Sequence, residues 1–240
     1  MKTTPFLAVC LIAMSCFPAM AATPAVKADP ALFRYSVEQM HKVSNPDLLG
    51  HRNFYDFRST GPDAAWFDAV KQGNLAEVRR RVEAGQNLEA KDEDALGQTA
   101  LGWAAFIGYE DMVHYLVDQG ADIRATDRAD VYNALKSAVM GGNVAVVEYL
   151  HGLLRDETDW DARESDQETL FMVAAVDGRL ETVEYILQFH PDLNAVAINE
   201  KPKINESPLS GACEGGFDDV ANLLIAKGAI NHKTGRSSCN

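Results

Sequence analysis

Apolar and polar positions repeat along most of the chain with a period of about 35 residues. An alanine stands four residues before each of five glycines, and a large apolar residue stands seven before it. These offsets place the apolar positions on one face of a short helix that the glycine ends, and a second apolar helix follows. The glycines are separated by 35, 34, 36 and 38 residues. The pattern therefore predicts five consecutive helix-turn-helix units, at Gly73, Gly108, Gly142, Gly178 and Gly216.

Two short helices with one apolar face cannot bury that face alone, so consecutive units must stack into an elongated solenoid. Residues 99–108 read TALGWAAFIG and resemble the ankyrin signature T-P-L-H-x-A-A-x-x-G. Residues 207–209 restore the S-P-L start, and GADI at residues 120–123 resembles the segment that leads into the ankyrin hairpin. The resemblance covers residues 64–235. It implies an all-α fold, an ankyrin-repeat solenoid of about five helix-turn-helix units with an N-terminal helical extension.

The start of the chain has the pattern of a targeting signal. A basic residue precedes an apolar stretch over residues 5–17, which is too short to span a membrane, and PAMA at residues 18–21 suits cleavage by a signal peptidase. We expect residues 1–21 to be a cleaved secretory signal of bacterial type and the mature protein to be periplasmic. Lipid anchoring at Cys16 is the alternative. The remaining chain divides into a linker with an N-terminal helical extension, a five-repeat domain and a C-terminal tail, at residues 22–62, 63–235 and 236–240.

The extension before the repeats has its own apolar residues. Pro30 suits the first turn of a helix that we expect to run to about Val43. Aromatic residues follow at Phe54, Tyr55 and Phe57 within an otherwise polar stretch. These aromatics either cover the exposed edge of the first repeat or form an arm that binds a partner.

Charge narrows the choice of partner. The chain has a formal net charge of −13, which disfavours nucleic acid and anionic membranes at long range. Residues 155–168 contain seven acidic and two basic residues. This stretch is either a solvated loop or an acidic finger, in which Asp159, Asp161 and Asp166 attract a basic or mixed protein surface.

The sequence offers little for catalysis. It contains no nucleophile elbow, phosphate loop or dinucleotide fingerprint, and its six histidines show no metal-ligand spacing. We therefore expect no catalytic residue, no cofactor and no metal. Cys213 and Cys239 remain beyond the leader, and they either pair, which contributes on the order of 3 kcal/mol, or stay free thiols.

The resemblance implies that the two residues before each glycine line the concave surface, where partners bind. In the middle three units these positions are largely apolar, whereas the first and last units have polar residues there. An apolar centre with polar ends predicts an interface with a dry core. Alternatively, these residues pack against the next repeat, or the N-terminal segment folds back and fills the groove. The predicted groove residues are Trp103, Phe106, Ile107, Tyr132, Met140 and Val176.

Together these observations predict a protein-binding protein that is monomeric when free. Our leading hypothesis is a periplasmic immunity protein that neutralises a secreted antibacterial effector, such as a phospholipase or a cell-wall hydrolase. One alternative is an accessory factor that supports a periplasmic enzyme such as a catalase. Another is a hydrolase with a site assembled across repeats.

Overall fold

The structure is a computed structural model that describes residues 25–128, 131–164, 166–200 and 203–240. The expected signal peptide at residues 1–21 lies outside these residues. The described chain is mostly helical, which confirms the all-α expectation, and its one hairpin lies between the fourth and fifth repeats. The helices are α1 Val37–Ser44, α2 Ala64–Lys71, α3 Leu75–Glu83, α4 Ala100–Ile107, α5 Glu110–Asp118, α6 Ala134–Gly141, α7 Val144–Leu154, α8 Leu170–Val176, α9 Leu180–Ile186, α10 Pro208–Glu214 and α11 Asp218–Ala226.

The five predicted units are present, each as an inner helix and an outer helix. The inner helices are α2, α4, α6, α8 and α10, and each is followed by its outer helix. The five glycines that mark the repeat all have positive φ, between 70° and 89°, as the turn after the inner helix requires. Four inner helices begin at a side chain that caps the backbone N–H three residues later, and these caps are Thr99, Asn133, Thr169 and Ser207.

The inner helices pack closely on one another because small residues face the neighbouring backbone. A Cβ atom added to Gly141 on α6 would lie 1.8 Å from the carbonyl oxygen of Phe106 on α4. Between the fourth and fifth repeats, strands β1 Ala197–Glu200 and β2 Lys203–Glu206 form an antiparallel hairpin. One continuous apolar core runs through all five units.

The N-terminal extension is helical over a shorter stretch than expected. Pro30 begins only a 3-10 turn, Pro30–Leu32. Helix α1 starts at Val37, because the Ser36 side chain accepts from the Gln39 N–H while the Gln39 side chain accepts from the Ser36 N–H. Residues 25–62, called the strap below, precede the first repeat and lie against several repeats.

Candidate functional site

The strap lies along the concave face formed by the inner helices. Phe54 is buried, with its ring centroid 6.3 Å from that of Trp103 on α4. The Arg52 guanidinium forms an ion pair at 2.8 Å with Asp127, which follows the second repeat, and both side chains are buried. Met40 on α1 is also fully buried in the shared core. The strap therefore occupies the place that the sequence suggested for a partner.

The predicted apolar groove is consequently not open. Trp103, Phe106, Ile107 and Met140 are exposed by only 0 to 2%. The expectation that these four side chains form an exposed interface is wrong, because the strap and the neighbouring inner helices cover them. The alternative in which the N-terminal segment folds back over the groove is confirmed by the Phe54–Trp103 contact. Phe54 thus packs against the second repeat.

Two predicted groove residues keep some exposure. Val176 at the end of α8 is partly buried, and Tyr132 is 38% exposed in the loop before α6. Burial raises the pKa of Tyr132, and the negative charges of Glu164 and Asp159 add to the effect. Tyr132 therefore borders the acidic stretch, whereas Val176 lies on the concave side of the fourth repeat.

The acidic stretch at residues 155–168 is a folded connection and not a free finger. Asp159 and Asp161 are exposed, but the Asp161 carboxylate accepts from the Asp192 N–H at 2.8 Å and so joins this loop to the next one. Trp160 between them is buried, 4.9 Å from the His151 ring centroid. The loop presents carboxylates from a fixed position.

Part of the negative charge of this loop is neutralised by a buried lysine of the third repeat. Lys136 stands where the ankyrin signature has His, and its ammonium contacts Glu164 and lies 4.0 Å from Asp166. Only 1% of the Lys136 side chain is exposed, so this pair bridges the third repeat and the loop in a buried setting. At the matching position of the second repeat, Gly102 leaves room for Gln98, which donates to Ser137 at 3.1 Å.

The concave face beyond the strap carries a cluster of carboxylates, which we call the acidic end and define as Asp166, Glu168, Asp177, Glu206 and Glu214. Burial raises the pKa of Glu168 to about 8, and the negative charges of Asp166, Asp177 and Glu206 add to the rise, whereas the nearby Lys136 ammonium opposes it. Burial also raises the pKa of Glu206. A positively charged group placed here would favour ionisation of Glu168 and release its proton.

The floor of the acidic end is close-packed and slightly apolar. A Cβ atom on Gly211 would lie 2.2 Å from Val176 Cγ1 and 3.2 Å from Glu206 Oε2. Glu214, at the end of α10, forms an exposed ion pair with Lys233 at 2.5 Å. The structure thus brings two predicted residues, Asp166 and Val176, to one end of the concave face.

Arg179 is a functional candidate that the sequence did not reveal. Its Nε donates to the Met140 carbonyl at 2.7 Å, at the end of α6. Its two terminal nitrogens donate to the Lys42 and Val43 carbonyls at 3.0 and 2.8 Å, in the last turn of α1. A cation at the C-terminus of a helix is favourable because the last carbonyls lack intrahelical partners. Arg179 therefore fastens the strap to the third and fourth repeats.

The end of the chain is tied to the last repeat. Cys213 on α10 and Cys239 form a disulfide, which confirms their pairing. The His232 ring contacts Asn205 at 2.9 Å and Ser207 at 3.2 Å, so the segment after α11 also packs against the hairpin.

Within the described ranges, no group of three or more His, Cys, Asp or Glu side chains is arranged to hold a metal ion. In that part of the chain, no helix is both long and apolar enough to cross a bilayer.

Known proteins share this repeat pattern. The palmitoyltransferase AKR1 of Lachancea kluyveri is 31% identical over 161 residues, 64% of this chain and 21% of that enzyme. Alpha-latrocrustotoxin-Lt1a of Latrodectus tredecimguttatus is 31% identical over 124 residues, 51% of this chain and 8% of the toxin. Notch-regulated ankyrin repeat-containing protein A of Danio rerio is 34% identical over 93 residues, 38% of this chain and 82% of that protein. The chain thus spans only a small part of the first two relatives.

The family model for ankyrin repeats, in three copies, matches residues 66–153 and 135–234. These segments contain all five inner helices except the start of the first. The chain belongs to the ankyrin-repeat family, whose repeats form protein-interaction domains.

Proposed function

We propose that this chain is an exported bacterial protein that binds another protein in the periplasm, as an immunity protein that neutralises a secreted antibacterial effector. The observation that carries the proposal is the acidic end, where carboxylates gather on a concave face that the strap covers elsewhere. An effector that acts on anionic phospholipids or on an anionic cell wall needs a basic surface around its active site. The acidic end complements such a surface.

The protonation state of Glu168 supports a partner with a basic surface. With a pKa raised to about 8, this carboxyl holds its proton near neutral pH. An arginine or lysine of the partner would compensate the repulsion from the neighbouring carboxylates and let Glu168 ionise. Binding would then release a proton, and the affinity would rise as the pH approaches 8.

The cysteines and the start of the sequence support export. A Cys213–Cys239 disulfide is typical of an oxidising compartment such as the periplasm. Residues 1–21 have the apolar stretch and the small residues of a cleaved secretory signal.

The proposal involves binding and no catalytic step. The palmitoyltransferase matches this chain over 21% of its own length, and its name describes the activity of that whole enzyme.

Affinity capture from periplasmic extract tests the proposal. The bait is the full chain without residues 1–21, compared with a variant carrying Asp166→Asn, Glu206→Gln and Glu214→Gln. The matched control neutralises three exposed carboxylates on outer helices, Glu83→Gln, Glu148→Gln and Glu184→Gln. Both variants lose the same formal charge.

We expect the wild-type chain and the control to retain one stoichiometric protein partner and the acidic-end variant to lose it. Retention should also weaken with added salt, because the attraction is between exposed charges. Equal retention by all three baits, or a chain found outside the periplasmic fraction, would contradict the proposal.

A further inference from the structure

The two halves of the strap are held differently. In residues 49–60, the anchor, Arg52 and Phe54 are exposed by 2% and 1%, and Arg58 pairs with Asp68 at 2.8 Å. In residues 30–48, the lid, Val37 and Leu48 are 54% and 48% exposed. The buried residues of the lid are Met40 and Ser44, and most of its other residues are exposed. A segment with few buried residues opens at a lower free energy than the core of the same protein.

The lid does not fill the surface beneath it. A crevice of about 430 Å³ lies between α1 and the turns of the second to fifth repeats. Val43 borders it from the lid, and Ile107, Asn143 and Leu180 border it from the repeats. The repeats therefore offer more surface along these turns than α1 uses.

Arg179 recognises the lid through its backbone alone. Its guanidinium bonds to the carbonyls of Lys42 and Val43, which any helix ending at this point would also present. The helix of the lid ends at Asn45, which has a φ of 38°, and residues 26–28 before the lid pair with residues 56–58 of the anchor. The lid is thus a loop whose two ends are held while the anchor stays in place.

We propose that the lid is a displaceable internal ligand of the concave face, and that the protein partner presents a short amphipathic helix that replaces α1 and ends at Arg179. This inference rests on the proposed function, because it names what the partner brings to the same concave face. The lid itself shows the fitting chemistry: a helix of about two turns, one large apolar side chain at the position of Met40, and C-terminal carbonyls that accept from Arg179.

A synthetic peptide of residues 33–46 is the probe, and its binding to the full chain is followed by fluorescence anisotropy. The test variant is Met40→Asp, which unseats the lid by placing a charge at a buried position. The matched control is Val37→Asp, the same kind of change on the exposed side of the same helix.

We expect the Met40→Asp chain to bind the peptide at least about 100-fold more tightly than the wild-type chain or the control, because a tethered lid competes at roughly millimolar effective concentration. A peptide that carries Met40→Asp should not bind. Adding Arg179→Met to the test chain should weaken binding about tenfold or more, because two charge-assisted hydrogen bonds are lost. In the wild-type chain, amide hydrogens of α1 should exchange at least about tenfold faster than those of α4.

The proposal would be overturned if a folded Met40→Asp chain did not bind the peptide. It would also be overturned if the α1 amides were as protected from hydrogen exchange as those of α4. If Met40→Asp prevents folding, Glu38→Gly with His41→Gly weakens α1 from its exposed side and leaves the repeats unchanged. No natural partner enters these measurements. A positive peptide result without a periplasmic partner would therefore count against the proposed function and not against the lid.

Discussion

Replacing Glu168 by Gln should stabilise the protein, and increasingly so as the pH rises. Burial raises the pKa of Glu168 from 4.5 to about 8 in the folded chain. Between these two values the folded chain holds a proton that the unfolded chain has lost, so the free energy of unfolding falls with rising pH. At about 1.4 kcal/mol per pH unit, the full difference is on the order of 4 to 5 kcal/mol. Because Glu168 is partly exposed, solvent screening reduces this difference, and we expect Glu168→Gln to raise the free energy of unfolding by about 2 to 4 kcal/mol.

Urea unfolding of the wild-type chain and of Glu168→Gln at pH 5, 7 and 9, with the disulfide intact, measures this effect. Near pH 5 the two chains should differ by less than about 1 kcal/mol, since both carry a neutral side chain there. The variant should gain stability steadily up to pH 9. For Glu184→Gln, a change on the exposed side of α9, the difference in stability from the wild type should stay constant with pH to within about 0.5 kcal/mol. A constant difference between Glu168→Gln and the wild type across this range would refute the reasoning.

Three further changes test the packing. Gly141→Ala should lower the free energy of unfolding by more than about 3 kcal/mol, because the new Cβ would lie 1.8 Å from a backbone oxygen of the preceding repeat. Gly152→Ala meets nothing within 4 Å and should raise the free energy of unfolding by up to about 1 kcal/mol. Thermal melts of both variants test these two expectations. Replacing Cys213 and Cys239 by Ser should lower stability by about 3 kcal/mol in urea, and an unchanged midpoint would mean that the bridge constrains little. Arg52→Met should cost about 3 to 5 kcal/mol, because its carboxylate partner stays buried, and a loss below 1 kcal/mol would contradict the importance of that pair.

The repeats could be predicted from the sequence because their causes are local. A glycine with positive φ ends each inner helix, and this requirement leaves its mark at the same place in every unit. Thr99 and Ser207, at the starts of two inner helices, have the cap that their place in the signature implies. Stacking then follows, since no single unit can bury its own apolar face.

From the sequence, the covered groove is only one of several alternatives and the acidic end is not predicted, because both depend on contacts between distant segments. Arg179 bonds to Lys42, 137 residues away, and its position in the repeat holds other residue types in the remaining units. Lys136 departs from the ankyrin signature, which has His at this position. The structure pairs Lys136 with Glu164, so this departure accounts for part of the charge in the acidic loop.

The two positions before each repeat glycine are largely apolar in the middle repeats and polar in the first and last. Apolar residues at such positions can indicate a covering segment of the same chain as well as an external partner. Phe106, Ile107 and Met140 would each lose part of a burial free energy of about 1.5 to 3 kcal/mol if the strap did not cover the groove. A monomer seldom exposes such a patch, and a tethered segment covers it without the entropy loss of bringing two molecules together. A partner that uses this groove must therefore outcompete a lid at roughly millimolar effective concentration, and the same tether returns the lid when the partner leaves.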